Sequence, residues 1–510
     1  MRPPVLLATV LLTAAAFRLA VIDRPFQYDS EGTGCFYGIM ARNYLRIPWS
    51  RTHAIPVLTV GNPTGAPLVF YPDHPPLVPL LIAGVYARFG VGDWQTRLPA
   101  SLATIATAYA LYLLLARAGS ARAGLLAAAV FAAMPMNLYF GGLPEVVGMP
   151  MVLFVVVTVL VYAELHRRPT GRRCALLLAT FTLAAASDWP AFVLVPVLSA
   201  HFVLTRPIRT WPLIAAFGAG ATALFALLYT YIAWAADLPW TWMLPLFEGR
   251  AAIGVPAPFT AREWWATALA FNRDVHTLPV LVVAAAWIAV PVLRARAPAH
   301  SATIASILLA WGVLHVAIAR QGVFNHEWWW SPLTPGLAVA AALTIEGAIS
   351  FVEERTWAGA GSITAAVLTV AFATWTIRAS YGELNGSAHE TTTVDLGRAI
   401  QAAAPNPSDV ALLVWGGDDP QLWFYGDRPL KLNVWSVEDV MARLGSRQSD
   451  LVFSYEQPWL PPPARDTGVV FPAEERDVLQ KLYDYLRARY RRIALPADLA
   501  SKFEIFDITN

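Results

Sequence analysis

The sequence is short of charge. Of its 510 residues only 14% are Asp, Glu, Lys or Arg, against roughly 25% in soluble domains. Lysine is absent before Lys431. Arginine therefore does nearly all the basic work, which points to a GC-rich genome and hence to a bacterium. The formal net charge is +2, and the charges sit between apolar runs rather than on one face. That pattern says little for a nucleic-acid surface, and no nucleic-acid partner is expected. Cysteine is scarce, at Cys35 and Cys174. The topology derived below puts the two on opposite sides of a membrane, so they cannot pair and no disulfide framework is expected. Internal repeats and low-complexity segments are missing too.

What is present is hydrophobic sequence. Apolar residues make up 56% of the chain and recur through residues 1–380 in runs of bilayer-spanning length. The first follows Arg2 and ends near Ile22. No small-residue cleavage site closes it, so it reads as an uncleaved helix rather than a signal peptide. Four compact basic segments orient the rest: Arg117–Arg122, Arg167–Arg173, Arg206–Arg209 and Arg294–Arg296. Short arginine-bearing loops stay in the cytoplasm. With all four inside, the spans read as 4–22, 97–116, 122–138, 148–166, 173–187, 189–204, 211–235, 278–294, 302–320, 330–350 and 359–379. The expected fold class is an α-helical polytopic membrane protein of about eleven spans, with a cytoplasmic N-terminus and an external C-terminus.

Residues 76–91 are short and carry Pro76, Pro79 and Arg88. Counted as a span they would invert every later helix, so they read as an interfacial or re-entrant helix in the first outer loop, 23–96. Ser187-Asp188-Trp189-Pro190 reads as a tight outer corner, because proline ends or kinks a helix. The outer loops then hold Asp29, Glu31, Asp73, His74, Asp93, Glu145, Asp188, His276, His326 and Glu327. Polar chemistry converges on one side. Tryptophans crowd the same loops, where interfacial anchoring is their ordinary role and sugar stacking a second one. From Tyr381 the composition turns mixed. Residues 409–415 and 450–455 read as buried strands, 474–492 as an amphipathic helix and 503–508 as a strand. The domains are therefore 1–380 in the membrane and 381–510 as a small extracytoplasmic α/β domain.

The chemistry-bearing motifs begin just after the first helix with Tyr28-Asp29-Ser30-Glu31-Gly32. Two carboxylates at a membrane exit are functional when they face a cavity. Next come Tyr71-Pro72-Asp73-His74-Pro75-Pro76-Leu77, then Phe89-Gly90, then Trp94-Gln95-Thr96-Arg97-Leu98-Pro99. This ordered set over residues 5–350 resembles the GT-C superfamily of glycosyltransferases. The nearest branch is the protein O-mannosyltransferase and lipid A aminoarabinose transferase type. The resemblance implies transfer of a sugar from a polyprenyl-phosphate donor to a glycan, lipid or protein acceptor at the outer face of a bacterial inner membrane.

The same resemblance implies roles. Asp29 takes the place of the family's base, although Ser30 splits the usually contiguous acidic pair and leaves Glu31 as the alternative. Glu145, in the next outer loop, takes the place of a further catalytic acid. In the aminoarabinose branch an acid before a Lys-Pro-Pro motif and a later histidine resemble metal ligands. Asp73 matches the first and His276 the second, which implies a divalent metal, although two ligands are too few to establish one. Asn325-His326-Glu327-Trp328-Trp329 resembles the family's "HxYW" stretch. Chemically, transfer needs a base for the acceptor hydroxyl and donors on the leaving phosphate. His74, Arg97, Arg320 and His326 are the candidates for the substrate and its phosphate, with Arg273 an alternative, since arginine presents a planar fork of donors. A transporter or flippase is the competing class. It would show more mid-span ionisable residues and matching halves, and only His315 and Glu346 lie mid-span here. Reporter fusions should place residues 168 and 295 inside and residues 60, 260 and 450 outside. A cytoplasmic signal at 450 would overturn the charge argument and the outer catalytic face together.

Overall fold

The computed structural model describes residues 3–27, 31–63, 67–144, 149–253, 257–355, 374–375, 378, 392–403, 411–413, 420–431, 436–438, 441–442, 451–455, 473–495, 497–500 and 503–507. Asp29, Glu145 and the expected span 359–379 lie outside them. The chain divides into two compact units. One holds residues 1–24, 53–55 and 71–386, the other residues 25–52, 56–70 and 387–510.

The first unit is helical. Five helices among the described residues are long and apolar enough to cross a membrane: Asp93–Arg117, Pro150–Arg167, Ile208–Ala235, Ala299–Ile318 and Glu327–Arg355. A sixth arises if Ala121–Ala133 and Pro135–Gly142 count as one span bent by 66°. Pro135, with no N–H to donate, stands at that break. The other expected spans within the described residues appear as shorter pieces, for physical reasons. Pro3–Leu19 has 17 residues. Leu278–Ala289 stops after 12 residues, just before Pro291 opens a separate turn. The corner at Asp188 starts a 3-10 helix, Trp189–Val193, ahead of Leu194–Thr205. Leu77–Phe89 is a 13-residue helix, about 20 Å long at 1.5 Å per residue, less than the ~30 Å of a hydrocarbon core.

Polar side chains start these helices. Ser120 accepts the Ala123 N–H at 3.0 Å, and Asp188 accepts the Trp189 N–H at 2.7 Å; both satisfy donors left open at a helix N-terminus. Thr260 and Glu263 form a reciprocal capping box before Ala261–Val275. Inside the bundle, small residues set the closest approach. A Cβ on Gly312 would meet the Leu333 Cα at 2.7 Å, and one on Gly336 the Leu308 carbonyl carbon at 2.9 Å. Ala299–Ile318 and the Glu327–Arg355 run therefore meet backbone to backbone.

The basic segments gather at one end of this unit. Arg122 pairs with Glu353 at 3.0 Å and Arg296 with Glu354 at 2.8 Å, at the end of Thr334–Arg355. Arg167 donates to the Arg117 carbonyl at 2.5 Å. His166 and Thr205 are bonded at 2.9 Å, which brings in the segment beginning at Arg206. Topologically this is what four same-side loops require.

The second unit contains a five-stranded sheet. In chain order its strands are β1 (Ala411–Leu413), β2 (Leu430–Lys431), β3 (Leu451–Tyr455), β4 (Arg491–Arg492) and β5 (Phe503–Asp507), in the spatial order β2-β1-β3-β5-β4. β1 pairs in parallel with β2 and β3, while β5 is antiparallel to β3 and β4. The helix Ala473–Arg489 falls on the run read as amphipathic. Much of the first outer loop, assigned from sequence to the membrane domain, groups with this unit. The reason is electrostatic. On the helix Gly32–Arg46, Arg42 and Arg46 reach Asp427 at 2.8 and 2.7 Å. The Gly61 N–H donates to the same carboxylate at 3.2 Å. The Phe26 N–H donates to the Tyr425 hydroxyl at 2.7 Å. Arg42 and Asp427 are each 5% exposed at the side chain. Removing one partner of such a pair strands the other charge, at a cost of about 3–5 kcal/mol. Asp427→Asn should lower the unfolding midpoint of purified protein and expose residues 25–52 to protease. An unchanged digestion pattern would show that the loop is held by something else.

Candidate active site

The first unit encloses a cavity of about 500 Å³. Most of its wall is apolar. Phe225 and Tyr229 come from Trp211–Ala235, Val193 from the corner after Asp188, and Met243, Leu246 and Phe247 from the helix Met243–Ala251. Leu244 and Phe247 of that helix remain half exposed, as suits a helix facing acyl chains. Polar groups stand together in the wall: Asp73, His74, Asp188, Arg250 and His315.

Two ion pairs organise them. Asp73 receives Arg250 at 3.2 Å, and its carbonyl accepts the Trp189 indole N–H at 2.8 Å. The Arg250 guanidinium also lies over the Trp329 ring, 5.3 Å from its centroid. His74 Nδ1 and Asp188 Oδ1 are 3.0 Å apart, and both side chains are 3% exposed. The sequence builds this second pair by placing His74 just before the proline-led helix Leu77–Phe89 and Asp188 at the cap of the corner. Three buried polar atoms in these cavity residues have no hydrogen-bond partner among the described residues: His74 Nε2, Asp188 Oδ2 and Trp242 Nε1. Buried polar groups are nearly always paired, and these three stand together in one cavity wall.

Residues 73–234 match the family of dolichyl-phosphate-mannose-protein mannosyltransferases. The match begins at Asp73 itself. No curated protein matches the chain. Among solved structures, the ArnT of Cupriavidus metallidurans bound to undecaprenyl phosphate is 13% identical, with 98% of this chain and 97% of that one covered and a TM-score of 0.62. The Archaeoglobus fulgidus oligosaccharyltransferase tethered to an acceptor peptide is 11% identical, with 88% of this chain and 69% of that one covered and a TM-score of 0.51. The AglB oligosaccharyltransferase of the same organism, in complex with an inhibitory peptide and a dolichol-phosphate, is 12% identical over the same shares, with a TM-score of 0.50. The chain shares its fold with these ArnT and oligosaccharyltransferase structures.

The residues singled out from sequence separate into four groups. Asp73 and His74 line the cavity. Arg320 and His326 stand close to Arg250: Arg320 donates to the Ala251 and Ala252 carbonyls at 3.4 and 3.3 Å, capping the helix that carries it. His326 stacks on Trp328 at 4.5 Å, and burial together with the Arg250 charge pushes its pKa below the ordinary histidine value. Arg97 and His276 hold structure elsewhere. Arg97 is buried and donates to the carbonyls of Ile22, at 3.4 Å, and Arg24. His276 is fully buried, with Nδ1 2.9 Å from Asn272 Oδ1 and Nε2 3.1 Å from Thr334 Oγ1. The fourth group is the acids of the first outer loops. Glu31 is buried in the second unit, where its carboxylate accepts the Gln27 N–H at 2.6 Å; Asp29 and Glu145 fall outside the described residues. Arg273, weighed as a phosphate partner, is exposed and pairs with its neighbour Asp274 at 3.0 Å.

The metal set implied by the resemblance does not fit. A histidine ligand needs a free ring nitrogen, and both nitrogens of His276 are engaged. Asp73 is committed to Arg250, and no trio of metal-binding side chains occurs among the described residues. Sequence reading did not single out Arg250, and it placed Asp188 at an outer corner without giving it a site role. Both had a signal: Arg250 ends an apolar run in a tryptophan-rich outer loop, and Asp188 caps a proline corner.

Burial holds the His276 pKa at about 3, below the ordinary 6.5. The unfolded chain therefore binds this proton first, and stability falls as pH drops from about 6.5 toward 3. Unfolding midpoints measured across that range should decline less steeply in His276→Asn than in the parent. Equal slopes would mean that His276 is not buried neutral.

Proposed function

We propose that the chain is a membrane glycosyltransferase that transfers a sugar from a polyprenyl-phosphate donor to an acceptor at the outer face of a bacterial inner membrane, with inversion at the anomeric carbon. One observation carries the proposal: a largely apolar cavity opens among membrane helices and ends at Arg250, Asp73 and the His74–Asp188 pair. A prenyl chain needs the first part and a phosphate the second. The ArnT neighbour was solved with undecaprenyl phosphate and AglB with a dolichol-phosphate, which supports a carrier of this class.

In this reading Arg250 holds the donor phosphate and neutralises the charge that grows on it as it leaves. His74, with Nδ1 donating to Asp188, offers Nε2 as a second contact, a donor when the ring is protonated. The acceptor oxygen attacks the anomeric carbon, and the bond from that carbon to the phosphate oxygen breaks with its electron pair going to the phosphate. Asp29 takes the acceptor proton, a role assigned by resemblance. Glu31 and Glu145 orient the acceptor or the base. Arg320 positions Arg250 through the helix end it caps, and His326 contributes next to it. The acceptor is a glycan, a lipid or a protein. No step is routed through a metal. The N-terminus is cytoplasmic, and residues 381–510 stand outside and serve acceptor binding or stability.

Asp29→Asn should cut transfer on the order of 10²–10⁴-fold, the usual scale for a general base, with donor binding intact. Arg250→Gln should instead weaken donor binding by on the order of tenfold to a hundredfold, the worth of a charge-assisted hydrogen bond. Radiolabelled donor binding and product formation in proteoliposomes separate the two. If Glu31→Gln is dead while Asp29→Asn turns over normally, the base is Glu31. If Asp29→Asn and Glu31→Gln both keep full activity, the transferase assignment fails and a transport assay becomes the next measurement.

A further inference from the structure

At the arginine-rich end of the first unit, away from the residues used above, a second and smaller cavity of about 40 Å³ opens between helices. At about 10–15 Å³ for one water-sized sphere, it has room for roughly three, comparable to the oxygens of one phosphate. Its polar lining is almost wholly basic: Arg117, Arg167, His166, His201 and His300, with Glu164 as the one carboxylate. Glu164 is already drawn to Arg167 at 3.3 Å.

The histidines are half satisfied. His201 uses Nδ1 on the Tyr162 hydroxyl at 2.5 Å, and His166 uses Nε2 on Thr205 Oγ1 at 2.9 Å. Their rings lie 5.0 Å apart, centroid to centroid. The other nitrogen of each has no hydrogen-bond partner among the described residues, and His300 has none on either nitrogen. Arg206 follows directly on the helix Leu194–Thr205 that carries His201, and its Nε is buried without a hydrogen-bond partner among the described residues. The charges of Arg117 and Arg167, with Arg206 beyond them, outnumber the one carboxylate, which Arg167 already engages. An anion with several acceptor oxygens would balance that excess and accept from the arginine and imidazole N–H groups.

We propose that this cavity binds the phosphate of an anionic phospholipid headgroup on the arginine-rich side of the membrane. Two features favour a lipid over a free phosphate. The lining residues are the ends of membrane-crossing helices, Asp93–Arg117, Pro150–Arg167 and Ala299–Ile318, so the pocket lies at headgroup depth. Beyond the basic groups the lining is apolar, with Leu160 and Ile307 placed where an acyl chain would begin. Basic pockets between membrane helices on the cytoplasmic side commonly hold such headgroups.

Native mass spectrometry of the purified full-length chain in phosphatidylcholine nanodiscs, doped with cardiolipin or phosphatidylglycerol, tests this. The parent should retain the anionic lipid preferentially. His201→Gln and, separately, Arg117→Gln at the exposed rim should reduce retention about tenfold, the scale of one lost charge-assisted hydrogen bond. Arg117→Gln leaves the packed core untouched, so the test survives if His201→Gln fails to fold. Equal retention by the parent and a folded Arg117→Gln overturns the proposal. So does saturable binding of inorganic phosphate without any preference among lipids, which would assign the cavity to a soluble anion.

Discussion

A buried charge in a chain this apolar must find its partner within the protein, and that requirement organises both units. Arg18 shows it most plainly. It sits buried on the first helix and gives its donors to the Ala14 carbonyl, one turn back, and to the Asn137 carbonyl, both at 2.8 Å. The second bond ties the first helix to the turn after Met134, at the bent pair. Arg97 does the same for the end of the first helix through Ile22 and Arg24. Asp427 does it in the second unit, drawing Arg42, Arg46 and the Gly61 N–H onto one carboxylate. Non-directional apolar packing would leave each element free to slide against its neighbours. Single buried ionic or amide groups remove that freedom, because only one register satisfies them.

The same rule divides the charged residues by purpose. Arginines bonded to backbone carbonyls hold helices in place. Charges that face an enclosed space and leave atoms unpaired are available for a ligand. Arg97 belongs to the first kind, while the His74–Asp188 pair stands at a cavity with His74 Nε2 and Asp188 Oδ2 unpaired and belongs to the second. His276 shows how little residue type decides. Its outer-loop position suggested a metal ligand, yet burial between Asn272 and Thr334 makes it a strut.

Much of the fold was legible because a bilayer constrains sequence so strongly. Arginine spacing located the helix ends, and the ion pairs of Arg122 and Arg296 with the end of Thr334–Arg355 bring two of those basic segments together. The Ser187–Pro190 corner could be read from one proline and its cap. The ordered motifs carried the GT-C resemblance, and within the site Asp73 and His74 were visible as a pair. Other features depend on contacts across long sequence separations, which periodicity does not encode. Arg250 meets Asp73 across 177 residues and His74 meets Asp188 across 114. Arg42 meets Asp427 across 385, which is why the grouping of the first loop with the last domain could not be read from composition. Helix lengths were overestimated where proline cut a run whose hydropathy continued, as at Pro135 and Pro291.

The backbone contact at Gly312 bears on how firmly the walls of the large cavity are held. The helix Ala299–Ile318 supplies His315 and Ile318 to the wall, and Trp329 lies just ahead of Leu333, where the two helical runs touch. With a Cβ excluded there, that part of the wall is pinned backbone to backbone. The nine-residue helix Met243–Ala251 supplies another part; it is ended by Ala252 in the left-handed region at φ 50° and held through the side chains of Arg250 and Arg320. The rim of the cavity is thus of unequal stiffness: one stretch is locked by main-chain contact, and the next hangs from two long side chains.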